Sequence, residues 1–127
     1  MRGVEFSSRQ FADVVVATPV GRIDHSSAGQ LELALAPLWE ESVVGTRSLV
    51  LDFARVEHIT SVGLRVLMIA AKQLHGNGAR VAVAALRPVV AEIFAISRFD
   101  RVLDVFPSVR GALGRFSAEA LEAFDKA

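Results

Sequence analysis

The chain lacks cysteine altogether. That absence excludes disulfides, thiolate metal sites and thiol catalysis together, and it suits a reducing compartment. Charge of either sign is not in excess: Lys+Arg and Asp+Glu are 14 each, so the formal net charge is zero. A nucleic-acid binder carries a basic surplus or stripe, and neither is present. Long apolar runs are also missing. The opening "MRGVEFSSRQFADVVVATP" offers only "VVVA" uninterrupted, too short for the core of a secretory leader, and no stretch approaches a membrane span. The expectation is a soluble cytoplasmic protein with no direct membrane insertion. There are no internal repeats, low-complexity tracts or charge runs, and no linker long enough to separate a second domain. The three histidines, His25, His58 and His75, lack metal-ligand spacing, and no H-E-x-x-H occurs. No cofactor is expected.

What remains is a chain of 127 residues with 52% hydrophobic content, enough for one domain with a real core. Its first ten residues read as a polar lead-in. "DVVVATPVGRI", 13 to 23, is β-branched and reads as one or two strands, with an edge or bulge near Pro19. In the next helix, Ser27 and Gln30 have capping-box spacing, and Leu31, Ala34, Leu35 and Leu38 share one face. Pro37 should kink or shorten this helix. "SLVLDF", 48 to 53, is a strand covered on both faces. A helix runs from Ser61, apolar around most of its circumference from Val62 to Ala71, and stops at His75-Gly76-Asn77-Gly78. "RVAVAAL", 80 to 86, is a buried strand. Pro88 opens a helix with Val89, Ile93 and Ile96 on one side. "RVLDVF", 101 to 106, is a short strand, followed by one or two helical pieces. Phe94, Phe99 and Phe106 read as core or interface side chains. Phe116, Ala120, Leu121 and Phe124 have weak helical periodicity, which leaves open packing on the body or on a second subunit as a homodimer. The alternation implies an α/β fold with a mixed, mostly parallel sheet of about five strands and about four flanking helices. The opening strands are candidates for an antiparallel hairpin.

Open α/β sheets bind ligands beyond the carboxyl ends of their strands. Two turns lie there: 54 to 61 in "LDFARVEHITSVGLRVLMIAA", and "GRIDHSS" after the strand near Val20. If they converge, Asp24, His25, Thr60 and Ser61 share one rim. The plain reading of Thr60 and Ser61 is helix capping, and Asp24 equally caps the helix it precedes. Capping is compatible with a phosphate at the same helix start, where unpaired N–H groups and the positive dipole end favour an anion. "ITSVG", 59 to 63, partly matches the nucleophile elbow G-x-S-x-G. Ile59 stands where that motif needs glycine, however, and His75 closes the same helix about four turns away. A serine nucleophile needs its base within hydrogen-bond reach. The expectation is that the chain is not an enzyme.

Three stretches in order resemble the STAS family, which includes bacterial anti-sigma-factor antagonists: "GRIDHSSAGQLELAL", "LVLDFARVEHITSVGLRVL" and "LRPVVAEIFAISRFDRVLDVFPSVRGAL". The resemblance covers about residues 12–113, which leaves 1–11 as a lead-in and 114–127 as a helical tail. In antagonists of this family the loop commonly reads D-S-[ST]-G-[hydrophobic], and its first serine is phosphorylated by an anti-sigma factor that is also a serine kinase. Here Thr60-Ser61-Val62-Gly63-Leu64 aligns with it. Ser61 takes the phospho-acceptor position, Gly63 and Leu64 match, Thr60 replaces the aspartate and Val62 the second hydroxyl residue. Asp24 matches the family aspartate before the first helix. The resemblance implies a phospho-switchable module that binds an anti-sigma factor/serine kinase through Asp24, His25, Thr60, Val62, Gly63, Leu64 and Arg65. The alternative it implies is a constitutive subunit of a stressosome or of a phospholipid or anion transport system.

Overall fold

The computed structural model describes residues 5–45, 48–76 and 78–127. Strands β1 (Glu5–Phe11) and β2 (Val14–Ile23) form an antiparallel hairpin, with Ala12 in the left-handed region at its turn. Helix α1 (Ala28–Gly45) leads to β3 (Ser48–Asp52) and then β4 (Val56–Ile59). Helix α2 (Ser61–His75), β5 (Val81–Ala84), α3 (Pro88–Ile96), β6 (Asp104–Phe106), α4 (Val109–Phe116) and α5 (Ala118–Lys126) complete the order. The sheet runs β1-β2-β3-β5-β6, with β4 paired to β2 off this path. Every pairing except β1–β2 is parallel. The expected single-domain α/β fold is therefore present, with six strands and five α-helices among the described residues.

The apolar strands explain the layering. Side chains alternate across a sheet, so a run with apolar residues at every position must be covered on both faces. Val15, Ala17, Leu49, Leu51, Val81 and Val83 face one core, filled by Leu31 and Leu35 of α1, Leu67 and Leu74 of α2, and Phe94 of α3. Val14, Val16, Val50, Ala82 and Ala84 face the other, filled by Ala112, Leu113 and Ala120 of α4 and α5. Fully burying each such leucine contributes about 1.5–3 kcal/mol. The result is a sheet between two helical layers, and the weakly periodic C-terminal segment is one of them. Phe124 packs edge-on to Phe11 at 5.4 Å, and Phe116 edge-on to Phe106 at 6.1 Å. The tail thus packs on the body.

Several expectations need correction. Residues 5–11 are a paired strand rather than a lead-in; Met1–Val4 lie outside the described residues. The "loop" 54–61 contains β4, a four-residue strand in which only the end residues Val56 and Ile59 are buried, so no period-2 pattern marks it in sequence. Pro19 lies within a continuous strand opposite Phe6 and not at an edge. A two-residue hairpin makes Phe11–Val14 a hydrogen-bonded pair, so Phe6–Pro19 is a non-bonded one and the proline nitrogen faces away from β1. On that side β3 pairing ends at Ala17 and β4 pairing begins at Gly21, leaving a gap where no donor is needed. The irregularity falls instead between Gly21 and Arg22, with Gly21 at φ 113°.

Helix α1 continues through Pro37 rather than ending there. Val89 and Ile96 of α3 are exposed, and the buried face is Val90 and Phe94. Phe99–Arg101 forms a 3-10 turn before β6, which begins only at Asp104. Gly76 caps α2 with right-handed geometry and Gly78 takes the left-handed one; Asn77 lies outside the described residues.

Candidate functional site: the start of helix α2

The carboxyl ends of β2 and β4 are paired through Arg22–His58 and Ile23–Ile59. The Thr60 amide then donates to the Ile23 carbonyl at 2.9 Å. The two turns that sequence placed on one rim are thereby brought side by side.

The first turn is organised by Ser27, which is 2% exposed. Its hydroxyl donates to the Arg22 carbonyl at 2.7 Å, and its oxygen accepts from the Asp24 amide at 3.0 Å. The expected capping box with Gln30 is therefore replaced by a bond that folds the turn back on β2. The Asp24 carboxylate accepts from the Ser26 hydroxyl at 2.7 Å and the Ser26 amide at 3.0 Å. These bonds favour the charged form and hold its pKa below the ordinary carboxylate value. Asp24 is thus an anchored negative charge at the rim, with His25 exposed beside it.

The second turn differs from the capping expectation. Thr60 is the N-cap residue of α2, in extended geometry, yet its side chain makes no cap bond. Its Oγ1 is buried and has no hydrogen-bond partner. Ser61 follows as the first helical residue and is exposed. Leu64 is the first residue of α2 to donate to a carbonyl four back, that of Thr60 at 2.9 Å. The amides of Ser61, Val62 and Gly63 consequently have no acceptor within the helix, which is the local chemistry that accepts an anion.

The remaining candidate residues divide into two kinds. Val62, 44% exposed, and Arg65 face outward. Gly63 and Leu64 are buried, so they position the helix rather than offer it to a partner. A Cβ at Gly63 would stand 2.7 Å from Ile59 Cγ1 and 3.2 Å from the Ile23 carbonyl oxygen. Glycine therefore lets the helix start press directly on the ends of β2 and β4.

A groove of about 300 Å³ runs between α1 and α2 beside this turn. His25, Gly29 and Glu32 line one side; Val62, Arg65 and Ile69 line the other. Gly29, Glu32 and Ile69 were not among the sequence candidates. Gly29 and Glu32 lie about one turn apart on α1 and His25 in the turn before it, but only the packing of α1 on α2 makes them the wall of a groove. His75 lies at the far end of α2, about 21 Å from Ser61 by helical rise. Among the described residues no group of three or more His, Asp or Glu could hold a metal ion. No helix among them is long and apolar enough to cross a membrane.

An exposed serine thus opens α2 at the rim of an α/β sheet. The STAS family model matches residues 5–112, and the chain belongs to that family. BtrV of Bordetella bronchiseptica, which carries the name of an anti-sigma factor antagonist, is 37% identical over 103 residues, covering 81% of this chain and 86% of its own. The crystal structure of a Thermotoga maritima protein that carries the name of an anti-sigma factor antagonist superposes with a TM-score of 0.77 at 19% identity, over 87% of this chain and 92% of that one. The antagonist SpoIIAA in its unphosphorylated form gives 0.72 at 18% identity, over 88% and 96%. SpoIIAA of Bacillus in its phosphorylated form gives 0.64 at 16%, over 89% and 100%.

Proposed function

We propose that this protein is an anti-sigma-factor antagonist of the cytoplasm that binds an anti-sigma factor with serine-kinase activity while Ser61 is free, and releases it once Ser61 is phosphorylated. The domain performs no chemistry of its own. The observation that carries this reading is the exposed, uncapped Ser61 at the start of α2, beside the α1–α2 groove. The relationship to BtrV and the fold shared with SpoIIAA support it.

The physical basis is differential. A phosphoserine carries about −1.5 to −2 charge at neutral pH. In the free protein the unpaired amides of α2 and solvent accommodate it at little cost. Within an interface it is desolvated against the partner, and a penalty of about 3 kcal/mol weakens binding by about a hundredfold. The transfer itself belongs to the kinase: the Ser61 oxygen bonds to the γ-phosphorus of bound ATP, ADP leaves, and the hydroxyl proton passes to a base of the partner. Asp24, held charged by Ser26, keeps a fixed negative group at the rim while Arg65 supplies a positive one.

The experiment is capture of the partner from native lysate on the wild-type protein, then incubation of that complex with ATP and mass mapping. Phosphate on Ser61, with release of the partner, is the expected result. Phosphate elsewhere, or none, sinks the reading.

A further inference from the structure

The edge strand β1 carries information that the α2 site does not use. It is seven residues long, lies at one end of the sheet, and pairs only on its β2 side among the described residues. The opposite edge, β6, has three residues. Ser7, Ser8, Arg9 and Gln10 are all exposed. Long open edges invite another strand unless something blocks them.

The hairpin register fixes which groups are open. Phe11–Val14 is the bonded pair next to the turn, so Arg9, Ser7 and Glu5 point their amides and carbonyls at β2. Phe6, Ser8 and Gln10 therefore point theirs outward. An incoming antiparallel strand must bond at positions of this set.

Side-chain charge then selects a register. Glu5 and Arg9 lie on one face of β1, four residues apart, with Ser7 midway. Neither has an ion-pair partner among the described residues; the Arg9 guanidinium sits 5.0 Å from the Phe11 ring centroid. If a second β1 runs antiparallel about a two-fold axis through Ser7, Phe6 meets Ser8 of the other copy as a bonded pair. Glu5 then meets Arg9 twice, once on each side of the axis. Those crossings are non-bonded pairs, the type in which side chains approach most closely. Small Ser7 meets itself at the axis without a clash. Shifting the register by two residues in either direction loses both charge pairs.

We infer that β1 is a self-complementary pairing edge, and that two copies of this chain associate through it into a two-fold dimer with one continuous sheet. The Ser61 loop follows β4, which pairs with β2 on the side away from β1, so each copy keeps its site. The dimer is bivalent for any partner that docks there.

Sedimentation velocity over a concentration series, from micromolar to millimolar, tests this. The wild type should show a concentration-dependent dimer that weakens with added salt. Arg9→Glu puts like charges at both crossings and should raise the dimer Kd by about tenfold or more. Glu5→Arg with Arg9→Glu restores the complementarity and should restore the dimer. Ser8→Pro removes an outward amide but no bond to β2, and should yield a monomer with unchanged circular dichroism. A wild type that stays monomeric throughout overturns the inference. So does a dimer indifferent to the single charge reversal, or one that the double reversal fails to restore. The charge series decides the matter even if Ser8→Pro does not fold.

Discussion

Gly63 and Ile23 meet so closely that a side chain between them has no room: a Cβ on Gly63 would stand 2.6 Å from Ile23 Cγ2. This contact sets the start of α2 against the end of β2. Gly63→Ala gains about 0.5–1 kcal/mol of helix propensity but must displace Ile23 and Ile59, an overpacking cost of about 1–3 kcal/mol. The expected outcome is net destabilisation in a urea titration. A more stable variant would mean that the contact is slack.

Thr60 holds a buried hydroxyl with no hydrogen-bond partner. Thr60→Val keeps the β-branched shape, suits the extended N-cap geometry and removes the desolvated oxygen. Because no cap bond is lost, the domain should gain up to about 1 kcal/mol in stability. A loss of that size instead would show that the hydroxyl bonds to the helix in solution.

Ser61 is exposed, so its substitutions should separate binding from folding. Ser61→Asp places a negative charge at the positive end of α2, and its unfolding free energy should stay within about 1 kcal/mol of wild type. Its affinity for the captured partner should fall by about tenfold or more, short of the full phosphate effect. Ser61→Ala should bind as wild type and take up no phosphate. Calorimetry with the captured partner checks both.

Asp24 gives a pH signature. Its pKa is lowered below 3.8, first by the Ser26 hydroxyl and then by the Ser26 amide. The unfolded chain therefore takes up the proton first as pH falls. The stabilisation is complete above 3.8 and is lost as pH drops through the lower folded value. Asp24→Asn should lower the urea midpoint at neutral pH, and the gap to wild type should close in acid. A gap independent of pH would assign the effect to shape rather than charge.

Much of this was legible in one dimension. Val81 to Ala84 and Leu49 to Leu51 are apolar at every position, which dictates strands with helices on both sides. Ser61 as the start of α2 and Asp24 in the preceding turn followed from motif and spacing. Other features had no such signal. In β4 only Val56 and Ile59 are buried, so its strand character exists only through pairing with β2. The capping expectation at Thr60 failed although the residue holds the N-cap position in extended geometry: its hydroxyl is buried instead of turned to the free amides of the helix, and residue type does not report that orientation.

The sequence by itself determined the layered α/β plan, because the periodicity of apolar side chains is a local property that burial must satisfy. It also determined the succession β2, α1, β3, α2, β5, α3, β6, without β1 and β4, and the identity of the hydroxyl at position 61. Only the tertiary structure decided that this hydroxyl is exposed and uncapped, and that Gly63 is a close-packing residue. It likewise decided that α1 and α2 wall a groove and that β1 ends the sheet with its outer edge unpaired among the described residues. Each of these depends on contacts between residues distant in the chain, and no local pattern encodes the distance at which two elements meet.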